Sequence, residues 1–168
     1  VAPLNEVSVL DHKVQLQTFL AHLSAGRKQE ANDVLREVLT SNPSKAGPYA
    51  LLVGGMLAQN GQFREAVPIY QEAIRVNPGD PNAYYYLGAA YHALKEDSEC
   101  ERTWNELEVR FPEHATTYCQ RALRALKLDQ FSEAKAYLQR AIELIEPDNP
   151  LRNDAVKTLA VVEKELKH

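Results

Sequence analysis

Apolar residues recur along this chain at intervals of three and four, the spacing that places them on one face of an α-helix. Tyr84, Leu87, Gly88 and Tyr91 share such a face, as do Ala50, Val53, Gly54 and Leu57, and Tyr118, Arg121, Ala122 and Ala125. A second face follows each of these after a short polar break. Phe63, Ala66, Tyr70 and Ala73 form one, and Phe131, Ala134, Leu138 and Ala141 another. Pro43, Pro78, Pro112 and Pro147 each follow a helical segment, at separations of 35, 34 and 35 residues. Proline cannot continue a helix, so each marks a stop. The pattern predicts helices over about 12–25, 28–41, 47–60, 63–76, 81–94, 97–110, 115–128, 131–145 and 150–167. Residues 1–10 have no period and are expected to be extended or mobile.

Aligned on the prolines, the segments repeat the same slots. GQFREAVPIYQEAIRVNPGD and QFSEAKAYLQRAIELIEP carry them most fully. The chain resembles the tetratricopeptide repeat, whose 34-residue pattern runs W-x2-L-G-x2-Y, then A-x3-F, then P. The resemblance covers about residues 12–148. It implies an all-α fold, a right-handed superhelical solenoid of tetratricopeptide helix pairs with three clear repeats, one divergent N-terminal repeat and a C-terminal capping helix. The divisions are an N-terminal extension at 1–11, repeats at 12–46, 47–80, 81–114 and 115–148, and the capping helix at 149–168.

Small residues at 54, 88 and 122 and at 66, 100 and 134 mark where two helices must approach closely. Tyr70, Trp104 and Leu138 are expected to fill the space between repeats, since one unit cannot bury its apolar face alone. In the first unit Phe19 stands where the small residue is expected, which puts close packing of that pair in question. At the other end Asn149 can cap a helix and Pro150 suits its first position. There Leu151, Ala155, Leu159, Val162 and Leu166 form the apolar stripe, with Arg152, Asp154, Lys157 and Lys164 on the solvent side.

Composition changes this picture little. The 168 residues are 45% hydrophobic and 25% charged, with a net charge of −4. The 19 Lys and Arg form no stripe, so no nucleic-acid partner is expected. No apolar run of membrane-spanning length occurs, so direct membrane insertion is not expected. A soluble chain is the reading, with the cytoplasm favoured over other compartments; the compartment itself and a leader or anchor removed before Val1 are left open. Cys100 and Cys119 allow one disulfide, but two free thiols are the simpler expectation.

No enzyme is expected. The histidines show no metal-ligand spacing, and there is no phosphate loop or nucleophile elbow, so neither metal nor cofactor is assigned. Glu96, Asp97, Glu99 and Glu101 cluster near a helix start, where acidic groups suit the helix dipole.

The resemblance implies that the first helix of each repeat lines a concave surface. Helical spacing then gives a partner-binding groove of Leu16, Gln17, Leu20, Leu51, Leu52, Gly55, Asn82, Tyr85, Tyr86, Ala89, His92, Cys119, Gln120 and Leu123. Its apolar and tyrosine-rich character suits a peptide or helix of a partner protein. The function expected is therefore non-enzymatic: an adaptor, assembly or scaffold module for protein binding. Self-association into a homo-oligomer, with the groove internal, is the alternative, and an enzyme or metal-binding domain a distant third. Arg124 and Lys127 follow Arg121 at intervals of three and form a candidate anchor for an acidic partner; the stem of Arg121 is expected to be buried with its head emerging. A subgroup of the family grips chaperone C-terminal carboxylate tails with Lys, Asn, Asn, Lys and Arg. The matching places here hold Leu16, Leu20, Leu52, Thr116 and Gln120, so that partner is not expected.

Overall fold

A computed structural model describes the backbone of residues 4–41 and 43–167 and the side chains of residues 14–27, 29–40 and 46–167. Among these residues the fold is all-α, with nine helices: α1 (Leu4–Ser24), α2 (Lys28–Ser41), α3 (Pro43–Gln59), α4 (Phe63–Val76), α5 (Pro81–Ala93), α6 (Asp97–Arg110), α7 (Ala115–Lys127), α8 (Phe131–Leu144) and α9 (Pro150–Glu165). The chain divides into two compact units, Val1–Cys100 and Glu101–His168, with the division inside α6.

In the first unit α1 packs on α2 and α3 on α4, and α5 then lies against both α3 and α4. The spacing read from sequence is the spacing of burial: Ala50, Val53 and Leu57 of α3, Ala66, Tyr70 and Ala73 of α4, and Tyr84, Leu87 and Tyr91 of α5 are all buried. Phe19 is buried too, at 2% exposure, and α1 and α2 still pair, with Ala31 fully buried. In the second unit α7 packs on α8, and α8 on the terminal helix α9. Ala122, Leu138, Ala155 and Val162 form its core.

Two boundaries differ from expectation. Residues 4–10 continue α1 rather than lying extended. Pro43, read as a stop, opens α3, so that helix begins four residues before 47. A proline that cannot extend one helix is well suited to the first turn of the next, where its missing N–H goes unused.

The turn within each pair is one motif used four times. Gly26, Gly61, Lys95 and Asp129 have φ of 71°, 75°, 61° and 56°. The next residue's amide reaches back across each turn: Arg27 to His22 O at 2.8 Å, Gln62 to Leu57 O at 2.9 Å, Glu96 to Tyr91 O at 2.9 Å and Gln130 to Ala125 O at 2.9 Å. These are six-to-one bonds of a left-handed helix C-cap, which satisfies carbonyls that the helix end leaves open. A side chain is strained in that conformation by ~1 kcal/mol or more. Lys95→Gly should therefore raise stability by about 0.5–1 kcal/mol in a urea titration, and Gly61→Ala should lower it by about the same amount or more. Equal midpoints for Lys95→Gly and the parent would show that the turn imposes no strain.

Buried tyrosines recur with their partners. Tyr84 Oη donates to Pro78 O at 3.4 Å, and 34 residues on Tyr118 Oη donates to Pro112 O at 3.0 Å. A buried phenol requires such an acceptor. Cys100 and Cys119 are both buried and form no disulfide with each other. Asn149 caps α9, accepting from Leu151 N at 2.9 Å, with Pro150 behind it. Ala155 and Val162 of the expected stripe are buried, but Leu151 and Leu166 are exposed, and Arg152, expected in solvent, donates to Ile142 O at 3.2 Å.

Candidate functional site

The first unit holds a groove of about 770 Å³ where α3 and α5 run side by side over α4. Pro48, Leu51, Leu52, Gly55, Met56, Ala58 and Gln59 come from α3, Asn82 and Tyr86 from α5, and Tyr70 from α4 beneath. Its size is that of sites that hold small molecules or peptide side chains. Leu52 and Tyr86 occupy the same slot in successive repeats and stand well out, at 53% and 42% exposure. None of the ten lining residues is charged.

Packing below the groove explains its shape. Gly54 faces Tyr70 so closely that a Cβ at 54 would lie 2.5, 2.8 and 2.9 Å from three ring carbons. The missing side chain is what lets the Tyr70 ring slide under α3. That ring stacks on Tyr86, with centroids 5.8 Å apart and planes at 21°. Tyr85 in turn meets Tyr86 edge-on at 5.2 Å. Burial, and then the neighbouring Tyr86, push the Tyr70 phenol up to about 12. Asp80 caps α5 through Asn82 N at 2.9 Å, and the same oxygen accepts from the Asn82 amide at 3.1 Å, which fixes that side chain at the groove's edge.

Of the residues read from sequence, the structure brings Leu51, Leu52, Gly55, Asn82 and Tyr86 together here. Tyr85, Ala89 and His92 share α5 but do not line the groove, and Leu16, Gln17 and Leu20 lie on α1. Cys119 is no surface residue: it is buried with Tyr118, Ala141 and Ile145, because its helix turns that position into the α7–α8 seam. Gln120 and Leu123 lie on α7 in the second unit, where Leu123 is exposed. Sequence reading passes over Met56, Gln59 and the second role of Tyr70. The first two follow Leu52 at i+4 and i+7, so extending that stripe would find them.

The second unit carries a polar cluster instead. Arg121 is 5% exposed, so its head does not emerge. Its guanidinium pairs with Glu101 at 3.1 Å, donates to Tyr137 Oη at 2.9 Å and bonds Asn105 Oδ1. Its Nε lies 3.2 Å from Glu108 Oε2 without the alignment of a hydrogen bond. Arg124 is held by the other oxygen of Glu101, whereas Lys127 is exposed. The candidate acidic-partner anchor is thus half occupied from within the chain. Glu101, read as a helix-start acid, is recruited by α7, which lies 20 residues away in sequence.

Among the described residues no group of three His, Cys, Asp or Glu is placed to hold a metal ion. No helix among them is long and apolar enough to cross a membrane.

Comparison with known proteins agrees with this architecture. Residues 54–95 match the family described as TPR repeat, and residues 115–148 the family described as tetratricopeptide repeat. The chain is 26% identical over 137 residues to the cellulose synthase operon protein C of Pseudomonas fluorescens (strain SBW25), covering 75% of this chain and 10% of that protein. It thus spans a tenth or less of the length of the curated relatives it matches. The first TPR of Spaghetti (RPAP3) bound to HSP90 peptide SRMEEVD superposes with a TM-score of 0.63 at 23% identity, over 73% of this chain and 96% of that one. The type III secretion translocator chaperone SycD of Yersinia enterocolitica superposes with a TM-score of 0.65 at 18% identity, over 74% and 88%.

One expectation is overturned by these structures. The sequence argues against a chaperone tail because Leu16, Leu20, Leu52, Thr116 and Gln120 lack the clamp's side chains. A chain of this same fold holds an HSP90 peptide, so the exclusion does not stand. Five side-chain identities do not by themselves exclude a peptide from a fold whose helix pairs can hold one.

Proposed function

Because this chain is built of tetratricopeptide repeats, folded as their helix pairs, we propose that it is a non-enzymatic interaction module that takes a segment of a partner protein in the α3–α5 groove. The observation that carries this reading is the exposure of Leu52 and Tyr86 side by side on successive repeats, above an uncharged floor. Aromatic and aliphatic anchors in a preformed depression are the composition from which protein interfaces draw most of their affinity. The likeness to a peptide-holding repeat domain and to a secretion chaperone supports the same kind of role.

The experiment is selection of binders from a random peptide library on the purified chain, followed by affinity measurement. Leu52→Glu and Tyr86→Glu should each weaken the selected peptides at least ~10-fold, the effect of losing one interface anchor. Leu52 is exposed, so Leu52→Glu should leave the melting temperature within about 1–2 °C of the parent's. Tyr86→Glu also loses the stack on Tyr70 and should lower it by roughly 2–4 °C while the chain stays folded. Peptides that bind both variants undiminished would place the interaction elsewhere. Light scattering over a concentration series reads the alternative role, self-association, in which the same substitutions would dissolve an oligomer.

A further inference from the structure

Gly54 and Gly55 are neighbours in α3 and differ in what the fold asks of them. Gly54 is required, because Tyr70 leaves no room for a side chain. At Gly55 a Cβ would meet nothing within 4 Å, and its φ lies outside the left-handed region that favours glycine. Glycine inside a helix costs stability relative to alanine, since it frees the unfolded chain and contributes no packing. Nothing among the described residues repays that cost. The empty space opens into the α3–α5 groove, one helical turn from Leu51 and beside Leu52.

Resting on the groove reading above, we propose that Gly55 is the specificity-determining position of the site: its missing side chain leaves open the slot in which a partner's extended segment seats one large apolar side chain, in the groove that Leu52 and Tyr86 also line. The slot's chemistry commits it to that occupant. With no charged residue in the lining, an ionic side chain placed there would lose its water without gaining a counter-ion. Tyr86, stacked on Tyr70 and so held in place, offers a ring face for an apolar group to cover. Charges elsewhere on the same segment lie outside the slot and are left to the rim.

The test uses the intact chain and the peptides selected on it. Gly55→Ala should raise the melting temperature by roughly 2–4 °C, the shift that a helix-interior Gly→Ala change makes in a domain of this size. It should also weaken the peptides several-fold. Gly55→Leu, which fills the slot, should weaken them at least ~10-fold while staying folded by circular dichroism. The selected peptides should share one Leu, Met, Phe or Trp whose change to Asp abolishes binding. A lower melting temperature for Gly55→Ala would show that the fold itself needs the glycine, and would overturn the proposal. So would peptides that bind Gly55→Leu as the parent does; if these still fail on Leu52→Glu, the groove reading survives and only the slot falls. Peptides indifferent to all three substitutions, or none selected, would sink both. An oligomer that Gly55→Leu dissociates would identify a second copy as the occupant and overturn the partner assignment.

Discussion

Glu101→Gln combined with Glu108→Gln should lower the unfolding free energy by roughly 2–3 kcal/mol, because the buried guanidinium keeps hydrogen-bond acceptors but loses both counter-ions. Arg121→Met should cost less, on the order of 1 kcal/mol, because the carboxylates it leaves behind are partly exposed and regain water. The asymmetry follows from where each group sits. The Arg121 side chain is 5% exposed, whereas those of Glu101 and Glu108 are 37% and 33% exposed. With the arginine gone, the two carboxylates can turn to water. With the carboxylates gone, the guanidinium keeps only neutral acceptors: Asn105, Tyr137 and the amide oxygens of the substituted side chains. Methionine also preserves most of the stem's packing. Urea unfolding followed by the fluorescence of Trp104, the single tryptophan and a member of the same unit, reads the effect. If Arg121→Met proved the more damaging change, the cluster would owe its worth to shape rather than charge.

Gly54→Ala should destabilise the protein by up to roughly 2 kcal/mol, the balance of two opposing effects. Alanine is the better helix former by ~1 kcal/mol. Overpacking a filled core costs ~1–3 kcal/mol, and here the added carbon lands within 2.9 Å of three atoms of a ring. The Tyr70 ring has little freedom to yield, being 1% exposed and stacked on Tyr86. The clash therefore outweighs the propensity gain. A double-mutant cycle with Tyr70→Leu isolates it: the coupling between the two sites should be ~1 kcal/mol or more, with Gly54→Ala turning neutral or favourable once Tyr70→Leu has removed the ring. Additive effects would mean that the ring moves aside freely. Because Tyr70 supports Tyr86, Gly54→Ala should also weaken any peptide held in the groove, although it touches none.

The neighbouring glycines show how far sequence reading could go. Both were legible as small residues on a helix, one in a core slot and one on the adjoining stripe. That the first is compelled by Tyr70 and the second by nothing inside the chain emerges only when α4 and α5 are docked on α3. The groove was legible in the same partial way. Helical spacing identified Leu51, Leu52, Gly55, Asn82 and Tyr86, but it also gathered Cys119, which packing buries, and Tyr85, which serves as a prop for Tyr86.

What the amino-acid order determined by itself was the period of about 34 residues, the helix pairs and the stops between them. These are local matters: a proline without its N–H and apolar residues every three or four positions act on their own segment, whatever surrounds it. Tertiary structure decided which side of each helix is covered and which charges are paired. Arg121 is buried because α6 supplies Glu101, Asn105 and Glu108 and α8 supplies Tyr137, and no spacing along α7 encodes partners held on other helices. Burial is a property of neighbours in space, and those neighbours exist only once the helices have packed.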